Sequence, residues 1–194
     1  MIVSRTGVAA RDVATKANRT AVQNRHILTG KELSFDTQDV IVSKTDLKGI
    51  ITYANDVFMH ISGFSEEELL GAPHSILRHP DMPRCVFKFL WTTIAAGTEV
   101  FAYVLNRARS GDHYWVLAHV TPTFDHGGKI IGYHSNRRVP ERTAIAKIAP
   151  IYASLLSVEK SCADKEEGLN KSMKALVDFV GSTGMDYSEL VFTL

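Results

Sequence analysis

The chain has 194 residues, 45% of them apolar and 22% charged, with 22 Lys and Arg against 21 Asp and Glu. That length makes one domain with extensions or two small ones, and the apolar content buries a core, which excludes disorder over most of the chain. A net charge of +1 excludes strong sequence-independent binding to nucleic acid and an electrostatic hold on an anionic membrane.

No apolar run approaches the roughly 20 residues that cross a bilayer, and the N-terminus has no run of signal-peptide length, so no membrane insertion and a cytoplasmic location are expected. Residues 1–35 read as an N-terminal extension, with an Ala-rich stretch from Ala9 to Asn24 of helical composition and a turn at Thr29-Gly30-Lys31. The first strand is predicted over Asp36–Asp46, and Asp46-Leu47-Lys48-Gly49 turns it into Ile50-Ile51-Thr52-Tyr53. Spacing then becomes helical at Phe58, Ile61 and Phe64. Ser65 and Glu68 form a capping box, and Gly71 and Pro73 end that short helix. Asp81 is predicted to cap a longer helix carrying Val86, Phe89, Leu90, Trp91 and Ile94, ended by Gly97. Three strands follow, Glu99–Arg107, His113–Thr123 and Ile130–Arg138. The chain closes with helices predicted at Thr143–Val158, Asp164–Val180 and Met185–Leu194. Strands and helices in separate runs predict an α+β fold with an antiparallel sheet. Cys85 and Cys162, with no CxxC between them, read as two free thiols rather than a zinc or redox pair.

Ile51-Thr52-Tyr53-Ala54-Asn55-Asp56, Gly63-Phe64-Ser65-Glu66-Glu67-Glu68-Leu69 and Gly111-Asp112-His113-Tyr114-Trp115-Val116 together resemble a PAS domain. Leu77-Arg78-His79-Pro80-Asp81-Met82-Pro83 narrows the resemblance to the flavin-binding PAS domain of bacterial aerotaxis receptors. The resemblance covers about residues 36–140, leaving 141–194 as a C-terminal helical segment for signalling or dimerisation. It implies a PAS fold, a five-stranded sheet cupping a non-covalent FAD. The implied function is redox or oxygen (energy-taxis) sensing relayed to a chemotaxis-type signal transducer. With no membrane or methyl-accepting segment in view, the chain is most like a stand-alone PAS partner, with a homodimer as the expected state. No arrangement of nucleophile and base or of paired carboxylates supports an enzyme.

By the same resemblance Arg78, His79 and Asp81 carry FAD binding; an Arg and a His beside helix-start amides suit a phosphate or an electron-rich ring. Asn55 and Trp91 are carried over as neighbours of the flavin, although Asn55 also reads as a helix cap and Trp91 as core. Strand alternation puts Val100, Ala102, Val104 and Asn106 on one face and Phe101, Tyr103 and Leu105 on the other. The next strand alternates Tyr114, Val116, Ala118 and Val120 against Trp115, Leu117 and His119. The slimmer set suits a cavity wall, with Asn106 aimed at the pyrimidine edge of a flavin. The bulky set needs a cover from the flanking helices or a second chain. His134 is read as pointing into the cup near flavin N5, with Tyr133 and Ser135 pointing out. Two readings remain beside FAD: a haem gas sensor using His79 or His134, and a cofactor-free PAS docking module. The reactive Cys of light-sensing relatives has no counterpart in Gly71-Ala72-Pro73-His74-Ser75, so no photoadduct is expected.

Overall fold

A computed structural model describes residues 28–194; the Ala-rich stretch 9–24, of helical composition, lies outside them. Five strands, Ile41–Thr45 (β1), Ile51–Ala54 (β2), Val100–Arg107 (β3), His113–Phe124 (β4) and Ile130–Arg138 (β5), form one sheet in the order β2-β1-β5-β4-β3. Every neighbouring pair is antiparallel. Between β2 and β3 the chain makes Asp56–Ser62 (α1), Glu66–Leu69 (α2), a 3-10 turn at His74–Leu77 and the longer helix Arg84–Ala95 (α3). Three helices follow the sheet: Arg142–Lys160 (α4), Lys165–Ser182 (α5) and Tyr187–Thr193 (α6). The α+β expectation and the five-stranded antiparallel sheet both hold.

Local chemistry explains most of the boundaries. Asp46 Oδ1 accepts from the amides of Lys48 and Ile50, and Gly49 supplies the φ of 75° that closes the β1–β2 hairpin. Asn55 caps α1 by accepting from the Phe58 amide at 3.1 Å. The Ser65–Glu68 box is reciprocal: Ser65 Oγ accepts from the Glu68 amide at 3.3 Å and Glu68 Oε2 from the Ser65 amide at 3.0 Å.

The start of α3 departs from the sequence reading. The cap position is Pro83, whose ring carries no hydrogen-bond acceptor, and Asp81 lies too early and is exposed. The Cys85 amide instead donates to Glu159 Oε1, at 2.9 Å, from α4. A carboxylate distant in sequence does what a local cap usually does.

The bulky outer face of the sheet is covered by this chain's own C-terminal helices. Tyr152 of α4 is buried, stacks on Trp115 with centroids 6.2 Å apart, and donates its hydroxyl to the Tyr103 carbonyl at 2.8 Å. Tyr103 in turn donates to the Val191 carbonyl of α6 at 3.2 Å, and Phe192 meets Phe101 edge-on at 4.7 Å. Cover in cis therefore meets the need that sequence alternation left open between these helices and a second chain.

Candidate functional site

The inner sheet face and α3 enclose a cavity of about 200 Å³, room for a multi-ring ligand rather than one or two waters. Its wall is small and apolar along Val104, Ala118 and Val120. It is polar along Ser43, Thr45, Asn106, Ser135 and Arg137, with Leu90, Trp91 and Ile94 of α3 opposite. Antiparallel pairing keeps partners on one face. Ala118 pairs with Arg137 and Val120 with Ser135, while Ile41, Ser43 and Thr45 pair with Arg137, Ser135 and Tyr133. Tyr133, Ser135 and Arg137 thus share the cavity face.

Arg137 dominates the site. It is 2% exposed, yet among the described residues no carboxylate pairs with it. Its Nη2 donates to His74 Nε2 at 2.7 Å and to Ser43 Oγ, its Nε donates to Ser135 Oγ at 3.1 Å, and its Cζ lies 5.0 Å from the Phe58 ring centroid. Its Nη1 is buried without a hydrogen-bond partner. Burial pulls its pKa down to about 10, so it remains a cation at neutral pH, held in low dielectric by neutral groups alone. Such a charge is costly unless an anionic or electron-rich group completes its shell. Thr45 Oγ1 and Arg78 Nε, also from the cavity wall, are likewise buried without partners.

His74 answers to Arg137. Burial, then the Arg137 charge, pull its pKa down to about 3, and the neutral imidazole accepts from the guanidinium. Because the folded-state value lies below the usual 6.5, the unfolded chain binds the proton first as pH falls. His74's contribution to stability is complete above pH 6.5 and is lost toward about pH 3. Acid titration of unfolding should lose up to about 1.4 kcal/mol per pH unit inside that window. His74→Gln, which keeps an acceptor without a titrating ring, should flatten the slope. A slope equal to wild type would reject this assignment.

The residues expected from sequence divide sharply. Asn106 lies on the cavity face of β3, and Trp91 lies on the wall, edge-on to Tyr133 with centroids 5.5 Å apart. A Cβ on Gly49 would stand 3.0 Å from the indole, so the hairpin turn rests directly on Trp91. Arg78 also lines the cavity, its guanidinium 4.3 Å over the Phe87 ring. Desolvation, then repulsion from Arg84, lowers its pKa.

Three of the expected residues, Asn55, His79 and Asp81, lie outside the cavity wall. Asn55 is not among the cavity residues: its amide oxygen accepts from Val42 and Phe58 and its nitrogen donates to Val40, so it serves as a cap that ties α1 to β1. His79 is buried outside the cavity wall, accepts from the Asp81 amide and packs edge-on against His113. Asp81 is exposed, 3.8 Å from His79. His134 is among the cavity-lining residues, as expected, but it pairs with Lys44 and Thr121, and its imidazole Nε2 lies 3.1 Å from Asn136 of the same strand. Its neighbours Tyr133 and Ser135 point inward, the reverse of the alternation read from sequence.

Sequence reasoning passed over Arg137, His74 and Ser43. The signal was Arg137 itself, an arginine inside a predicted strand with no carboxylate beside it. A strand whose inner face is Tyr, Ser and Arg offers no hydrophobic cue to its inward parity.

The model of the PAS fold matches residues 31–135. The aerotaxis receptor of Escherichia coli (strain K12) is 44% identical over 115 residues, 59% of this chain and 22% of the receptor. A nitrogen fixation regulatory protein of Klebsiella pneumoniae is 30% identical over 99 residues, 51% of this chain and 20% of that protein. The chain thus spans about a fifth of these relatives. A solved light-oxygen-voltage domain, reported in connection with a flavin analogue, superposes with a TM-score of 0.51 at 19% identity, covering 73% of this chain and 96% of that one. At that identity it supports the fold alone.

Proposed function

The chain belongs to the PAS-fold family, and from that premise we propose that it is a redox or oxygen sensor of the aerotaxis type that binds FAD non-covalently. The observation that carries this is the buried Arg137 on the cavity wall, a cation whose Nη1 has no hydrogen-bond partner among the described residues. A flavin fits these residues. Its pyrimidine edge presents carbonyl and ring-nitrogen acceptors to Arg137 and a donor and acceptor pair to the Asn106 amide, while its apolar edge suits Val104, Val120, Leu90 and Trp91. Arg78 and the exposed Lys48, both of the cavity lining, suit the phosphates outside the ring system.

When bound, a flavin supplies reversible electron uptake. Arg137 would stabilise negative charge gained at the ring, and neutral His74 holds the guanidinium in place by accepting from its Nη2. The role we assign is binding and signalling rather than turnover, since the one Ser–His contact in this wall, Ser43 with His74, is shared with the Arg137 guanidinium. The 44% identity with an aerotaxis receptor supports a chemotaxis-type signal transducer as the partner. Among the described residues no helix is long and apolar enough to cross a membrane. The haem alternative has less support: His79 lies outside the cavity wall, the His134 Nε2 is taken up by Asn136, and the Nε2 of His74 is already engaged by Arg137.

Reconstitution tests the reading. The ligand-free protein, titrated separately with FAD, FMN and haemin, should retain FAD most tightly. Losing one charge-assisted contact costs about 1.5–3 kcal/mol, so Arg78→Ala should weaken FAD about 10- to 100-fold while leaving the circular dichroism unchanged. Equal FAD affinity in the variant removes Arg78 from the site. Preferential retention of haemin overturns the flavin reading.

A further inference from the structure

The geometry points to Glu159 as a positioning residue that couples occupancy of the cavity to docking of the C-terminal α4–α5 pair. This rests on the flavin reading above and adds a route by which the site's state reaches the flanking helices.

Glu159 sits near the end of α4, its side chain only 3% exposed. Its Oε1 accepts from the Cys85 amide at 2.9 Å and from Ser172 Oγ of α5 at 3.0 Å, and its Oε2 takes the Arg84 Nε at 3.1 Å. Arg84 also donates from Nη2 to the Lys165 carbonyl at 2.7 Å, and Lys88 reaches Asn170 at 2.8 Å. A Cβ on Gly168 would lie 2.4 Å from the Glu159 carbonyl oxygen, so α5 packs directly on the end of α4. One buried carboxylate therefore ties together the first turn of α3, the end of α4 and the middle of α5.

That first turn of α3 also belongs to the cavity. Phe87 lies one turn from Arg84 and carries Arg78 over its ring, and both line the wall. The same segment follows directly from the chain that bridges Arg78 to Asn106 on β3. The Arg84 and Glu159 charges act on Arg78 in opposite senses. With no cap at Pro83, the amide end of α3 depends on Glu159 for its position. Undocking of α4–α5 would strip that end of its acceptor and leave Arg84 without its carboxylate. Any ligand that orders Arg78 and Phe87 therefore favours the docked arrangement, and docking favours the ligand by the same factor.

The test uses the full chain, wild type and Glu159→Gln, each with and without FAD, followed by hydrogen exchange over residues 165–182 and by FAD titration. Gln keeps the volume and one acceptor but removes the charge. In wild type FAD should slow exchange in this segment about tenfold. In Glu159→Gln that ligand-dependent slowing should fall below about twofold, with FAD affinity weakened about tenfold by reciprocity. If Glu159→Gln does not fold, Ser172→Ala removes one of the carboxylate's partners and should shift both readouts partway in the same direction. A purely structural role changes exchange equally with and without FAD. Ligand-dependent slowing of wild-type size in the variants, or none in wild type while absorption shows flavin bound, overturns the coupling. If absorption shows no flavin taken up by wild type, the functional reading fails and the coupling falls with it.

Discussion

Arg137→Met should lose at least 100-fold in flavin affinity while leaving the ligand-free fold within about 1 kcal/mol of wild type. The two halves have one cause. In the ligand-free chain the guanidinium is fully buried with one donor unmet and only neutral partners, His74, Ser43 and Ser135. Its pKa is pulled down to about 10 by desolvation, a penalty on the order of 3 kcal/mol on the fold. Met fills similar volume without that penalty, which offsets the three hydrogen bonds lost. The ligand gains nothing comparable from Met, since it loses two or more charge-assisted contacts. The pH dependence has a definite sign. A base whose folded pKa is depressed destabilises the fold below that value, and the penalty fades as pH rises through it. Wild-type stability should therefore gain a contribution above about pH 10 that Arg137→Met lacks. Flavin titration and denaturant melts of both proteins decide the matter. A variant that unfolds, or one that binds flavin as wild type does, contradicts this account of the site.

Tyr152→Ala should cost about 3–5 kcal/mol, because it empties a buried aromatic site and orphans the Tyr103 carbonyl it now satisfies. Tyr152→Phe keeps the stack on Trp115 and should cost only about 1 kcal/mol. The Ala variant should also self-associate, since loosening α4 exposes Trp115 and Leu105 as an apolar patch. Guanidinium melts give the energies and light scattering gives the association. An Ala variant that stays monomeric and loses less than about 1 kcal/mol would show that α4 does not hold the outer face.

The sequence revealed the fold more fully than the site, for identifiable reasons. Strands β3, β4 and β5 carry their own turn residues, and the Ser65–Glu68 box and the Asp46–Gly49 turn act through neighbours in sequence. Asn106 and Trp91 were readable because each sits on an element whose apolar face is unambiguous. Arg137 was not, since its strand turns a polar face to a polar cavity and its parity is fixed only by pairing with Ala118 and Ile41. The same error of one residue sent Tyr133 outward. The cap of α3 was misassigned to Asp81 for a different reason: its acceptor, Glu159, is brought there by tertiary packing across 74 residues, a contact that local propensity does not encode.

Whether the cavity around Arg137 holds a flavin can be read from the absorption spectrum of the purified protein after incubation with FAD and removal of free ligand. Wild type should show the two-banded near-ultraviolet and blue absorption of oxidised flavin at close to one FAD per chain, released intact on denaturation and absent from Arg137→Met. A featureless spectrum from folded wild-type protein, or a Soret band after growth with haem precursors, would contradict flavin binding there.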